Sequence, residues 1–232
     1  MDVTHYLVLP STLQCNSRQA VGYLMFHAGH GQVRKRFANV TTTGSRSISA
    51  NIDFDASALV VARRLIGALL LLNGVGGIVV ETEAYDEREP ASHAFSGPTR
   101  RNAALFGPSG RTYVYLSHGI HWCLNIVCRE SGHGAGVLIR ALEPTHGIPL
   151  MMKRRGSTDL RLLCSGPGRL GQALAVDGTL DGRRVDVPPF AVVASTVAPR
   201  TVRGPRIGIS KATDRAWRFG LKGSVFVSRR FS

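Results

Sequence analysis

Two carboxylates and a phenol follow a short apolar run: Ile78-Val79-Val80 leads into Glu81-Thr82-Glu83-Ala84-Tyr85. Side chains of an extended chain alternate faces, which sets Ile78, Val80, Thr82 and Ala84 on one side and Val79, Glu81, Glu83 and Tyr85 on the other. One face is then core, and the other carries the acids and the ring. A carboxylate beside an aromatic ring at the end of a buried strand suits a general base next to a stacking platform. Parity alone makes Glu81 and Glu83 equal candidates. The competing reading is an edge strand with a solvated acidic face.

A second group of side chains could complete such a site. Tyr113 and Tyr115 share one face of Tyr113-Val114-Tyr115-Leu116, and Cys123, Asn125 and Val127 share a face of the next apolar run. Should these faces meet that of Glu83 and Tyr85, the pocket would hold a carboxylate, two or three phenols, an amide and a thiol. That mixture suits a flat, polar heterocycle. Aromatic faces stack on it, an amide or backbone group hydrogen-bonds its edge, and a carboxylate near an attached sugar activates water. The competing reading for each tyrosine is packing at a sheet margin.

His118, His121, Cys123 and Cys128 invite a metal reading. Their spacing argues against it, because His118 and His121 differ in parity, Cys123 and Cys128 differ likewise, and there is no Cys-x-x-Cys pair. Ser117-His118-Gly119-Ile120-His121 reads instead as a turn tip, either an ordinary surface turn or a projecting wedge. Gly166-Pro167-Gly168 lacks the Lys-Ser/Thr ending of a phosphate loop, and Gly-x-Ser-x-Gly does not occur.

These groups need a frame. Residues 1–50 show little periodicity, and Thr41 to Ser49 is nearly all Thr, Ser, Gly and Arg, so a poorly ordered N-terminal extension is expected there and a folded domain over 51–232. An amphipathic helix capped by Asp55 is predicted from the spacing of Leu59, Val60, Ala62, Leu65 and Ile66. Leu69 to Leu72, a glycine-containing turn from Asn73 and the opening strand predict a hairpin. Further strands are expected over Thr112–Leu116, Trp122–Val127, Gly136–Leu142, Val192–Val197 and Arg206–Ile209, with a helix ending at Arg155 and another opening on Pro167. This order gives a single α+β domain: a curved, mainly antiparallel, partly barrel-like sheet flanked by helices.

Composition narrows the partners. A chain of 232 residues that is 44% hydrophobic can bury one sizeable core. Its 29 Lys and Arg against 15 Asp and Glu give a formal charge of +14; residues 1–50 hold five basic residues and one acidic, so 51–232 keep 24 against 14, or +10. A folded basic surface follows, with nucleic acid as its first candidate partner and an anionic membrane surface as its second. Four dispersed cysteines fit a reducing cytoplasm rather than a disulfide scaffold. No apolar run approaches the roughly 18 residues of a membrane span, and Met1-Asp2-Val3-Thr4 does not open a secretory signal, so neither export nor membrane insertion is expected.

A family resemblance joins these pieces. Ile78 to Tyr85, then Ala91-Ser92-His93, Arg101-Asn102, Phe106-Gly107-Pro108-x-Gly110, Tyr113-Val114-Tyr115, Gly119, Asn125, Leu138-Ile139-Arg140-Ala141-Leu142-Glu143-Pro144 and Cys164-Ser165-Gly166-Pro167 resemble the alkyladenine (3-methyladenine) DNA glycosylases, in the family's order over about residues 55–232. The resemblance implies a monofunctional base-excision enzyme, without metal or other cofactor, that flips a damaged purine out of double-stranded DNA and hydrolyses its bond to deoxyribose. Glu83 matches the catalytic base and Arg140 a residue beside the catalytic water and target phosphate. Tyr85, His93 and Tyr115 match residues enclosing the flipped base; Ala91, Cys123 and Leu138 join that substrate-binding set, and Asn125 matches the residue that clashes with the exocyclic amine of guanine. His118 occupies a tip where the family commonly places an aromatic wedge, with Ile120, His121 and Arg101 as neighbouring DNA-binding candidates. A monomer, cytoplasmic or nucleoid-associated in a bacterium and without membrane partners, is expected. The alternative is a non-catalytic nucleic-acid-binding domain on the same scaffold.

Overall fold

Ala58, Val61, Ala62 and Leu65 recur at helical spacing and form the buried face of α1 (Ala58–Leu65) in a computed structural model that describes residues 52–231. The expected extension over residues 1–50 lies outside the described residues. Ser57, not Asp55, holds the N-cap position, its carbonyl accepting from the Val61 N–H at 3.0 Å. Asp55 accepts instead from the Ser109 hydroxyl at 2.6 Å, which pins the helix entrance to a distant turn.

The predicted hairpin is present: β1 (Leu69–Leu72) pairs antiparallel with β2 (Val75–Asp86). Its two turn residues, Asn73 and Gly74, have φ of 50° and 75°, the twist that a two-residue antiparallel connection requires. There follow β3 (Thr112–Ser117), β4 (His121–Val127), β5 (Ala135–His146), α2 (Ile148–Arg155), α3 (Pro167–Leu174), β6 (Phe190–Val193), β7 (Thr201–Gly204) and β8 (Arg218–Leu221). The eight strands form one antiparallel sheet in the order β3-β4-β5-β2-β1-β6, with β8 also paired to β2 and β7 to β8. Over residues 52–231 the fold is α+β, a curved antiparallel sheet with three α-helices. Among the described residues, no helix is long and apolar enough to cross a membrane.

Strand β2 rules out the competing edge-strand reading and corrects the expected alternation. It is flanked by β1, β5 and β8, so it is no edge strand, and Glu81 and Glu83 are both fully buried. Strict alternation also fails. Val79 pairs with Leu142, Glu81 with Ala141 and Thr82 with Ile139, which leaves Val80 unpaired in β2 and Arg140 unpaired in β5. Two bulges, one per strand, cancel in register while letting the local side chains turn. Val79 and Ala84, of opposite parity, consequently share the main core.

The late strands also differ from expectation. β6 stops at Val193, and Arg206 to Ile209 is a loop. Gly204-Pro205 and Gly208, the latter at φ 77°, interrupt the ladder there. Most core side chains lie between the sheet and α1, α2 and α3; a smaller cluster of Ala94, Leu105, Tyr113 and Val127 supports the long β2–β3 connection.

Candidate active site

Register brings the candidate residues into one row. Tyr113 of β3 lies opposite Asn125 of β4, Asn125 opposite Leu138 of β5, Leu138 opposite Glu83 of β2, and Glu83 opposite Arg218 of β8. One turn of the pleat away, Tyr115 is paired with Cys123, and Tyr85 is paired with Gly136, which leaves room beside the ring.

The floor of this row is a buried ionic network. Arg140, freed from the ladder by its bulge, donates from Nε to Glu81 Oε1 at 3.2 Å and from Nη1 to Glu83 Oε2 at 3.1 Å. Its Nη2 reaches the Ser228 hydroxyl at 3.3 Å. Burial works against the charge of Arg140, but the carboxylates of Glu83 and Glu81 outweigh it and hold the guanidinium above its ordinary pKa. Glu81 accepts further bonds from Arg218 Nη1 at 3.0 Å and from the Ser228 amide and hydroxyl. Glu83 Oε2 accepts a second bond from the Tyr85 hydroxyl at 2.8 Å, and Oε1 accepts from the Ile207 amide at 2.7 Å.

Above the floor opens a cavity of about 630 Å³ walled by Tyr85, His93, Tyr113, Tyr115, Cys123 and Asn125, with Arg140 at its base. Ala91, Leu138, Arg101 and His118 line it as well. Tyr113 and Tyr115 stack with centroids 5.4 Å apart, and the His93 ring stands edge-on to Tyr115 at 4.5 Å. Burial, with lesser effects from Cys123 and Glu83 nearby, keeps the Tyr115 phenol protonated well above its usual range, and burial pushes Tyr113 up to about 12. Tyr85 is raised by burial and by the adjacent Glu83 charge. These rings therefore remain neutral phenols at physiological pH. His93 is solvent-accessible at the mouth, but the part of its ring packed against the tyrosines, together with the Arg101 charge, lowers its pKa. Its Nδ1 lies 3.0 Å from the Tyr113 hydroxyl. Asn125 is oriented by its Nδ2, which donates to the Tyr113 carbonyl at 3.0 Å.

Not every candidate lines the cavity. Glu83 is sealed beneath Tyr85, Arg140 and Ile207, all three of which do. Ile120 projects from the β3–β4 tip with 71% of its surface exposed, and His121 packs beside Gly168 at the start of α3. Sequence reasoning missed the contributions of Ile207, Arg218, Ser228 and Tyr113's contact with His93. For Ile207 a signal existed: the flanking Pro205 and Gly208 mark a loop, whose free amides can serve a site. Among the described residues no three His, Cys, Asp or Glu side chains gather into a metal-sized cluster.

Comparison with known proteins matches this arrangement to a family. A family model described as methylpurine-DNA glycosylase matches residues 52–225. A curated protein of Nitrosospira multiformis named "Putative 3-methyladenine DNA glycosylase" is 61% identical over 181 residues, 78% of this chain and 94% of that protein. Proteins of the same name from Rhodopseudomonas palustris strain BisB18 and Rhizobium meliloti are 56% and 52% identical, over 77% and 79% of this chain and 90% and 98% of their own lengths. With the match extending over the whole sheet and every residue of its central row, the chain belongs to the methylpurine-DNA glycosylase family.

Proposed function

We propose that this DNA glycosylase takes an alkylated or deaminated purine, such as 3-methyladenine, 7-methylguanine or hypoxanthine, extruded from duplex DNA, and hydrolyses its N-glycosidic bond with a water activated by Glu83. The observation that carries the reading is the state of the Glu83 carboxylate. A carboxylate offers about four acceptor positions. Tyr85, Arg140 and Ile207 occupy three, two on Oε2 and one on Oε1, so one position on Oε1 remains to accept a proton when movement of the side chains that cover Glu83 admits water. The oxygen of the attacking water forms the new bond to the sugar C1′, its proton passes to Oε1, and the electron pair of the breaking C1′–N bond leaves with the base. An abasic site remains.

The walls fit that leaving group. Neutral tyrosine faces stack on a flat purine, and an alkylated cationic base is additionally attracted by their electron-rich surfaces. Such a base departs without prior protonation, so the second acid of ordinary glycosidases is dispensable for it. Arg140 has five N–H donors and uses three, leaving two to hold water or a neighbouring phosphate. Asn125, its amide fixed by Tyr113, serves as the barrier to the exocyclic amine of guanine. Basic surface residues grip phosphates irrespective of sequence, as an enzyme searching all DNA needs, and the protein works as a monomer in the cytoplasm or at the nucleoid.

Glu83→Gln tests the assignment. The amide cannot take the proton, so base release from a 7-methylguanine duplex should slow by roughly 10²-fold or more while duplex affinity persists. Release by the variant at the wild-type rate would remove Glu83 from the role. Binding without base release by the wild type would favour the non-catalytic nucleic-acid-binding alternative.

A further inference from the structure

Behind Tyr85 lies a charge pair that the reaction above does not use. Arg206 and Glu89 both have fully buried side chains and meet at two points, with Nη2 to Oε2 at 2.8 Å; Arg206 Nη1 also donates to the Ala84 carbonyl at 2.9 Å. The guanidinium carbon is 4.6 Å from the centroid of the Tyr85 ring and 5.2 Å from Trp217. Tyr85 lines the cavity whereas Arg206 has no exposed side-chain surface, so the guanidinium covers a part of the ring that is not open to the cavity.

That placement has an electrostatic consequence for anything stacked on the cavity side. A ring that holds a cation against one face is a poorer platform for a second cation on the other, because the two positive charges repel across it. Glu89, bonded directly to the guanidinium, offsets that repulsion. A neutral base on the same face is nearly indifferent to either charge. Glu89 also accepts from the Ala91 amide at 3.1 Å, so the pair braces the cavity loop as well, but a purely mechanical brace would affect charged and neutral bases alike.

We propose that the Glu89–Arg206 pair is a specificity-determining element whose charge balance sets how the Tyr85 platform divides its preference between positively charged N-alkylated purines and neutral purine lesions. The proposal rests on the reading that Tyr85 stacks on the extruded base.

The test is single-turnover base release by the full-length protein from duplexes carrying 7-methylguanine, which is cationic, or hypoxanthine, which is neutral. The ratio of the two rates, taken from one preparation, does not depend on the fraction of protein that is folded. Glu89→Gln leaves the guanidinium unbalanced and should lower the cationic-to-neutral ratio by roughly threefold or more; Arg206→Gln leaves the carboxylate unbalanced and should raise it by a similar factor. Where one variant fails to fold, the other decides. Ratios within about twofold of wild type, or shifts in the same direction in both variants, overturn the proposal. Wild-type protein that releases neither base would instead overturn the glycosylase reading of the site.

Discussion

Glu81 and Glu83 are two residues apart and equally buried, yet the network makes them chemically different. Glu81 receives four donor contacts, three on Oε1 from Arg140, Arg218 and the Ser228 hydroxyl and one on Oε2 from the Ser228 amide, and neither Arg218 nor Ser228 lines the cavity. Glu83 receives three, all from residues that line the cavity. Alternation in the sequence could place both acids on one face but could not rank them, because the ranking comes from partners as far as 147 residues away. His93 poses a different question at this scale, since its pKa is lowered by burial and by Arg101. Below the ordinary histidine value of about 6.5 the unfolded chain binds a proton that the folded imidazole refuses. The unfolded state then holds more protons, so the stability contributed is complete above that pH and is lost as the pH falls beneath it. Wild-type protein should therefore lose more of its urea midpoint between pH 7.5 and 5.5 than His93→Gln does. An identical loss in the two would show that His93 carries no such linkage.

Strands, hairpins and their turns were legible because their signals are local. Tyr113 and Tyr115, like Cys123 and Asn125, fall on shared faces as alternation required, and Asn73-Gly74 makes the turn that its composition announces. The bulges at Val80 and Arg140 were not legible, since a bulge in one strand is defined only against the register of its partner. The expected strand at Arg206 to Ile209 failed because its apolar residues pack a loop against the site rather than extend the sheet. The β3–β4 tip is the element whose role can be measured most directly. His118 and Gly119 take φ of 51° and 70°, a conformation uncommon for histidine, and Ile120 stands out into solvent beside them. Such a tip can fill the gap left by an extruded base, with the imidazole stacking and the isoleucine wedging. His118→Ala should weaken binding to an abasic-site duplex by about fivefold or more, and Ile120→Ala should weaken it as well, read by fluorescence anisotropy. Affinities equal to wild type in both variants would leave the hairpin without a wedge.

The α+β class and the central site were readable from the first half of the folded region, but the site is completed from its far end. Ile207, Arg218 and Ser228 all reach the two carboxylates of β2, and nothing in their local sequence points there. Composition says more at the scale of the whole molecule than any of these segments does. Within the buried network Arg140 and Arg218 are matched by Glu81 and Glu83, and Arg206 by Glu89, so the charge excess of +10 in residues 51–232 belongs elsewhere, overwhelmingly on the surface. A surface with that excess binds a polyanion by displacing its condensed counterions, and each phosphate neutralised steepens the dependence on salt. Affinity for an undamaged duplex should accordingly fall by on the order of 10²–10⁴ between 50 and 200 mM salt, with little dependence on base sequence, whereas the chemical step from bound 7-methylguanine duplex, governed by the enclosed Glu83, should change by less than about threefold. Anisotropy titrations at the two salt concentrations, paired with single-turnover release at saturating enzyme, separate the two quantities. If duplex affinity changed by less than about fivefold, the excess positive charge would not be the surface that holds DNA.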